Sequence, residues 1–135
     1  MQPGSEAIIW SELGERGCRE LVGAFYDQVR TDDLLGPMYR RALEEQGEDM
    51  ASAEARLRDF LAFRLGGSQK YIQERGHPRL RARHLPFPID QSGAERWLTL
   101  MDRAMDGLTT ALSPDSRTQL RSYFAQTAAF MVNRA

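Results

Sequence analysis

Apolar residues return at three- and four-residue steps along most of this chain and nowhere alternate with a sustained period of two. Cys18, Val22, Phe25, Tyr26 and Val29 share one face of a helix expected around residues 15–30. Ahead of it, Ile8, Ile9 and Trp10 form a short apolar run, with Gly14 and Gly17 as breaks. The stretch TDDLLGPMY reads as a capped short turn of helix stopped by Gly36-Pro37. Residues 40–50, RRALEEQGEDM, are polar, lack a clear stripe and read as a long loop, with a helical turn inside it left open. Ala53, Leu57, Phe60, Leu61 and Arg64 define a further helix, closed by Gly66-Gly67. Asp90 or Ser92 opens the next one, Ser92 with Glu95 having the spacing of a capping box. Its apolar face is Ala94, Trp97, Leu98, Met101, Met105 and Leu108. Ser113-Pro114, a cap followed by proline in the first turn, starts the last helix, whose stripe is Leu120, Phe124, Thr127, Ala128 and Met131.

The pattern predicts an all-α protein, a single domain over 1–135 without repeat or linker. The exception is the interval 68–89, which shows little regular helix between two strong ones. Loops that long in a small domain are usually functional or organised by something else. Composition narrows the partners. A net charge of -1 argues against a dedicated nucleic-acid binder. No apolar run approaches the ~20 residues needed to cross a bilayer, and the N-terminal MQPGSEAIIW lacks a secretory pattern. The single cysteine, Cys18, forms no internal disulfide and no Cys-based zinc site. The expectation is a soluble cytoplasmic protein with no membrane or nucleic-acid partner.

Candidate chemistry concentrates in RGHPRLRARHLPFPID, residues 75–90, which holds both histidines. An imidazole that ligates haem iron must be neutral and fixed in direction. A short helix ending at Pro86 and Pro88 suits His84 to that role, with Leu85 and Phe87 as an apolar wall for a porphyrin. On local sequence alone the same residues fit a surface or capping histidine better, and both readings stay open at this point. His77, in Gly76-His77-Pro78, reads as a turn residue. Arg75, Arg79, Arg81 and Arg83 form either a solvated face or a grip on acidic groups, since alternate residues do not share one helical face. Tyr26 and Trp97 sit in apolar stripes, as core aromatics do, and Tyr39 follows Gly36-Pro37-Met38. A Ser/His/Asp reading lacks the Gly-x-Ser-x-Gly elbow. Cys18 lies in an apolar stripe, as an inert buried thiol would.

These blocks together resemble the group II truncated haemoglobins. The resemblance is carried by Phe25-Tyr26 in GAFYDQV, by Phe60-Leu61 with Gly66-Gly67, by Tyr71 and the run Arg75 to His84, and by Glu95-Arg96-Trp97-Leu98. It extends from about residue 8 to residue 133, and the spacing from the His-Pro-Arg-Leu-Arg block to the tryptophan is specific. The resemblance implies a two-over-two α-helical sandwich around haem b, with His84 as the proximal iron ligand. It assigns Trp97, Tyr26 and Tyr39 to hydrogen bonds with the bound ligand. Ala53 falls where other globins often place a distal histidine, and Leu57 lies one turn further along, over the haem. Arg83 and Tyr71 are candidates for the haem propionates, followed by Arg79 and His77. Oxygen binding is implied, with nitric oxide dioxygenase or peroxidase-like activity left open. The implied partners are oxygen, nitric oxide and carbon monoxide, and a reductase, for a monomer or a homodimer. Three departures stand out: the polar stretch 40–52 is longer than usual in the family, the glycine pair usual near the N-terminus appears as separated Gly14 and Gly17, and Ser68 replaces a common proline. The rival expectation is a cofactor-free helical module that binds an anion or a partner through the Arg75–Arg83 cluster.

Overall fold

The computed structural model describes residues 1, 2, 4–67, 73, 84 and 87–134. Among these residues lie five helices and no strand: α1 (Ser5–Thr31), α2 (Leu35–Glu45), α3 (Met50–Arg64), α4 (Gln91–Asp106) and α5 (Pro114–Met131). The all-α expectation holds. Helix α1 is the hub, packing on all four others, and α4 lies against both α1 and α5. The core is the set of apolar stripes turned inward. Leu21, Val22, Phe25 and Val29 of α1 meet Leu61 of α3, Leu100 and Met101 of α4 and Leu120 of α5, all essentially without exposure. Each such side chain contributes roughly 1.5–3 kcal/mol by leaving water.

Helix α1 runs further than its stripe predicts, because Ile9 and Leu13 are buried as well. Gly14 does break it: at φ 64, ψ -178 the backbone leaves helical geometry and the two halves kink. Gly17 does not. It continues the helix, buried close against Leu13 and Thr110.

Two expectations for the next segment fail. Gly36-Pro37 does not stop a helix but stands in the first turn of α2, where a missing N–H has no intrahelical partner to lose. Residues 40–45 are helical rather than loop, with Ala42 and Leu43 buried, so only Gln46–Asp49 separate α2 from α3. The start of α2 is secured by Asp32, whose carboxylate accepts the Leu34 and Leu35 amides at 3.1 and 2.8 Å.

The remaining termini follow local chemistry. Asp49 caps α3 by accepting the Ser52 amide at 2.9 Å, and Gly66 beyond its end takes φ 84. Gly67 is required by a close approach, since a Cβ there would lie 2.1 Å from Cε2 of Trp10. Asp90 caps α4 through the Gly93 amide at 2.8 Å. Ser92 is an exposed residue inside that helix, so the Ser92–Glu95 capping box does not form. Ser113 caps α5 as expected, accepting the Ser116 amide at 3.2 Å. The expectation of irregular structure over 68–83 lies outside the described residues, Gln73 excepted.

Candidate functional site

Three helices bring Tyr26, Tyr39 and Trp97 together. The Tyr26 and Tyr39 rings meet edge to face with centroids 5.9 Å apart. Phe25 joins Tyr26 to Trp97, at 5.2 and 5.3 Å, and Phe124 of α5 closes the far side of the indole at 5.7 Å. Such tilted and T-shaped contacts add about 0.5–1.5 kcal/mol each beyond area burial, and they leave the rings little freedom. Tyr26 is buried, whereas Tyr39 and Trp97 are half-buried at the edge of the core.

Burial raises the pKa of both phenols well above the ordinary tyrosine value. For Tyr39 the opposing, smaller influence is the neighbouring Trp97 indole. An indole is a donor only. The Tyr39 hydroxyl therefore keeps its own proton to give elsewhere. From α3, Ala53 is buried in the core cluster and Leu57 packs half-buried against it. Neither side chain adds a hydrogen-bonding atom.

His84 is helical and half-buried. The Phe87 ring stands 5.7 Å from its imidazole at 48°, and Phe87 itself packs against the core cluster that holds Trp97 and Tyr39. Phe87 thus lies beside the His84 ring, while Leu85, the other residue expected to wall a porphyrin, lies outside the described residues. The other residues singled out in this stretch, Arg83, Tyr71, Arg79 and His77 together with Arg75 and Arg81, lie outside the described residues. Cys18 is fully buried, its thiol pushed up to about 12 by burial, and Sγ donates to the Arg58 carbonyl at 3.7 Å. The inert reading of this cysteine holds.

Some residues around the site carried no functional signal in the sequence. Phe25 and Phe124 read as ordinary stripe positions but fix the indole. Arg96, next to Trp97, reaches the Asp32 carboxylate at 2.6 Å and Asp33 at 3.3 Å, tying α4 to the α1–α2 corner. Asn133 follows the last stripe and reaches the His84 segment through main-chain atoms, for which no side-chain pattern exists.

The donor set fits one cofactor class. Among the described residues no group of three or more His, Cys, Asp or Glu side chains can hold a bare metal ion. A single imidazole with an aromatic wall instead suits iron whose other ligands arrive in a macrocycle. Phenol and indole donors at an apolar edge suit a small ligand on that iron. Fold and site together are those of a haem-binding globin.

The comparisons place the chain within that class. It belongs to the bacterial-like globin family, which it matches over residues 9–133. It is 37% identical over 125 residues to group 2 truncated hemoglobin YjbI of Bacillus subtilis (strain 168), covering 93% of this chain and 88% of that one. Among solved structures, the thermostable hemoglobin of Thermobifida fusca superposes with a TM-score of 0.81 at 39% identity, covering 93% of this chain and 96% of the other. The truncated oxygen-avid haemoglobin of Bacillus subtilis gives a TM-score of 0.81 at 37% identity, with 93% and 98% covered. The helices therefore form the two-over-two globin fold, and haem b is the cofactor. Family membership removes the support for a cofactor-free anion-binding module. No helix among the described residues is long and apolar enough to cross a membrane.

Proposed function

We propose that this globin binds oxygen reversibly on haem b held by His84, and that Trp97, Tyr39 and Tyr26 stabilise the bound gas by hydrogen bonding. The haem supplies an iron centre at which a diatomic ligand attaches. The chain supplies everything else. His84 offers an imidazole nitrogen, and the Phe87 ring lies against one side of it. Tyr26 and Tyr39 stay protonated throughout the physiological range, because burial raises their pKa, and so serve as donors rather than anions. The Trp97 indole, held between Phe25 and Phe124, is a donor that loses little entropy when a ligand arrives. Ala53 offers no competing donor and Leu57 gives apolar cover. Arg83 and Tyr71, with Arg79 and His77 after them, are assigned to the propionates by the match of guanidinium, phenol and imidazole to carboxylate. A cytoplasmic setting and a reductase that keeps the iron ferrous belong to the same proposal.

The observation that carries this reading is the convergence of Tyr26, Tyr39 and Trp97 from three helices on one apolar edge. The test is spectroscopic. The protein reconstituted with haem is expected to show a Soret band and a reversible oxygen spectrum. His84→Gly is expected to retain haem poorly unless free imidazole is added. An unchanged ferrous spectrum in His84→Gly rejects the assignment.

A further inference from the structure

Beyond α5 the chain turns back onto the segment that follows His84. Both ends of the Asn133 side-chain amide engage that segment, and Oδ1 also accepts from Arg134 Nη1 at 3.3 Å. Nδ2 donates to the main-chain carbonyls of His84 at 3.2 Å and Phe87 at 3.0 Å. Oδ1 accepts the Ile89 amide at 2.9 Å. The main-chain amides of Asn133 and Arg134 both donate to the Ile89 carbonyl, at 2.8 and 3.0 Å.

The reason such a partner is needed lies in the sequence. In a continuing α-helix the His84 carbonyl pairs with the amide four residues on. That residue is Pro88, which has no N–H. The Phe87 amide turns back to the same carbonyl at 2.9 Å, which leaves one lone pair to satisfy. Asn133 supplies the donor that Pro88 lacks and, with the same nitrogen, holds the carbonyl of the wall residue Phe87. A half-buried carbonyl left without its donor costs free energy. The backbone of His84 is thus set from outside its own helix, by a residue 49 positions away in sequence.

We infer that Asn133 is a positioning residue for the proximal histidine: it fixes the main chain of His84 and Phe87 and thereby the direction and freedom of the imidazole. This rests on the reading of His84 as the iron ligand.

The test compares wild type with Asn133→Asp, which keeps an acceptor for the Ile89 amide and removes both donors, and with Asn133→Ala, which removes all three contacts. Three quantities are read: the iron–histidine stretching band of the ferrous holoprotein, the rate of haem transfer to excess apomyoglobin, and amide hydrogen exchange at Ile89 in the haem-free protein. Asn133→Asp is expected to shift or broaden the band and to speed haem loss roughly tenfold, the lower end for partners outside the first coordination sphere. It is expected to leave Ile89 partly protected, whereas Asn133→Ala removes that protection. Should Asn133→Ala not fold, Asn133→Ser, which retains one hydroxyl, gives the same comparison at smaller amplitude. A wild-type band and haem-loss rate in Asn133→Asp, with only the melting temperature lowered, overturn the proposal. His84→Gly is measured alongside. If it keeps the iron–histidine band, the ligand assignment itself is wrong; if it loses the band while Asn133→Asp shows the wild-type band and haem-loss rate, only the positioning role is wrong.

Discussion

Arg96 Nη1 lies 2.6 Å from one oxygen of Asp32, while the other oxygen of Asp32 receives the Leu34 and Leu35 amides. One nearly buried carboxylate therefore starts the helix that carries Tyr39 and anchors the helix that carries Trp97. Burial alone raises the Asp32 pKa, but the Leu35 amide, Arg96 and the Leu34 amide outweigh it and hold the carboxyl below its usual range. A carboxyl lowered in the folded state contributes stability that is fully present above its unfolded value, about 3.9, and is lost as pH falls through the folded value. Arg96→Gln removes one of the lowering partners, so the loss of stability on acidification is expected to be shallower than in wild type. At neutral pH the Asp32–Arg96 coupling is expected to be small and favourable, as for partly exposed pairs. Urea midpoints from about pH 2 to 6 in a double-mutant cycle measure both. Identical pH slopes in wild type and Arg96→Gln mean that the amides alone set the Asp32 pKa.

At the ligand side, Trp97→Phe keeps the ring between Phe25 and Phe124 and deletes the N–H. If that donor contributes ~1.5–3 kcal/mol to holding oxygen, dissociation accelerates by roughly ten- to a hundredfold. Because the Trp97 indole influences the Tyr39 phenol, the effects of Trp97→Phe and Tyr39→Phe are expected to combine to less than their product. Carbon monoxide, less polar when bound, is expected to respond less. Stopped-flow off-rates for the two gases check this, and an unaltered oxygen off-rate in Trp97→Phe reduces the residue to packing.

Two glycines are indispensable for different reasons, and one second-site change separates them. Gly67→Ala drives a methyl into Trp10 and is expected to cost about 1–3 kcal/mol. Gly14→Ala meets no neighbour but forces on alanine a positive-φ, extended-ψ backbone essentially confined to glycine, at about 1–3 kcal/mol. Adding Trp10→Ala is expected to relieve part of the first loss and none of the second. Denaturant midpoints of the four variants and wild type decide the matter.

Cys18 is expected to resist thiol reagents at pH 8, because burial both hides the sulfur and suppresses the thiolate. Modification then proceeds through unfolding, at least about a thousandfold more slowly than for a free thiol. A rapid reaction with native protein contradicts this.

What the sequence made legible follows from the range of each interaction. Gly14, Gly66 and Ser113-Pro114 act on their own backbone, and the kink and the helix ends appear where those residues stand. Helix α2 escaped because Gly36-Pro37 carries the same letters whether it starts or stops a helix. Its stripe, Leu35, Tyr39, Ala42 and Leu43, has helical spacing, but Arg40, Arg41, Glu44 and Glu45 mask it. The Asp32 carboxylate beneath that first turn decides the case. Tyr26 and Trp97 were readable as stripe aromatics. Their meeting with Tyr39 depends on how three helices cross, which no local pattern encodes. The Asn133 contacts run to main-chain carbonyls, and any residue at positions 84 and 87 presents the same oxygen.

Helix α1 packs on every other helix among the described residues, and this orders events during translation. It leaves the ribosome before any of its partners. Leu21, Val22 and Phe25 meet α2 and α3 first, but stay partly uncovered until the chain reaches α4, which begins only at Gln91. In a nascent chain, an apolar helix without its partners is the species most prone to wrong association. The contacts that bury it join distant parts of the chain and form slowly. The same centrality that makes α1 the hub of the finished globin makes it the segment most dependent on chaperone cover until α4 and α5 emerge.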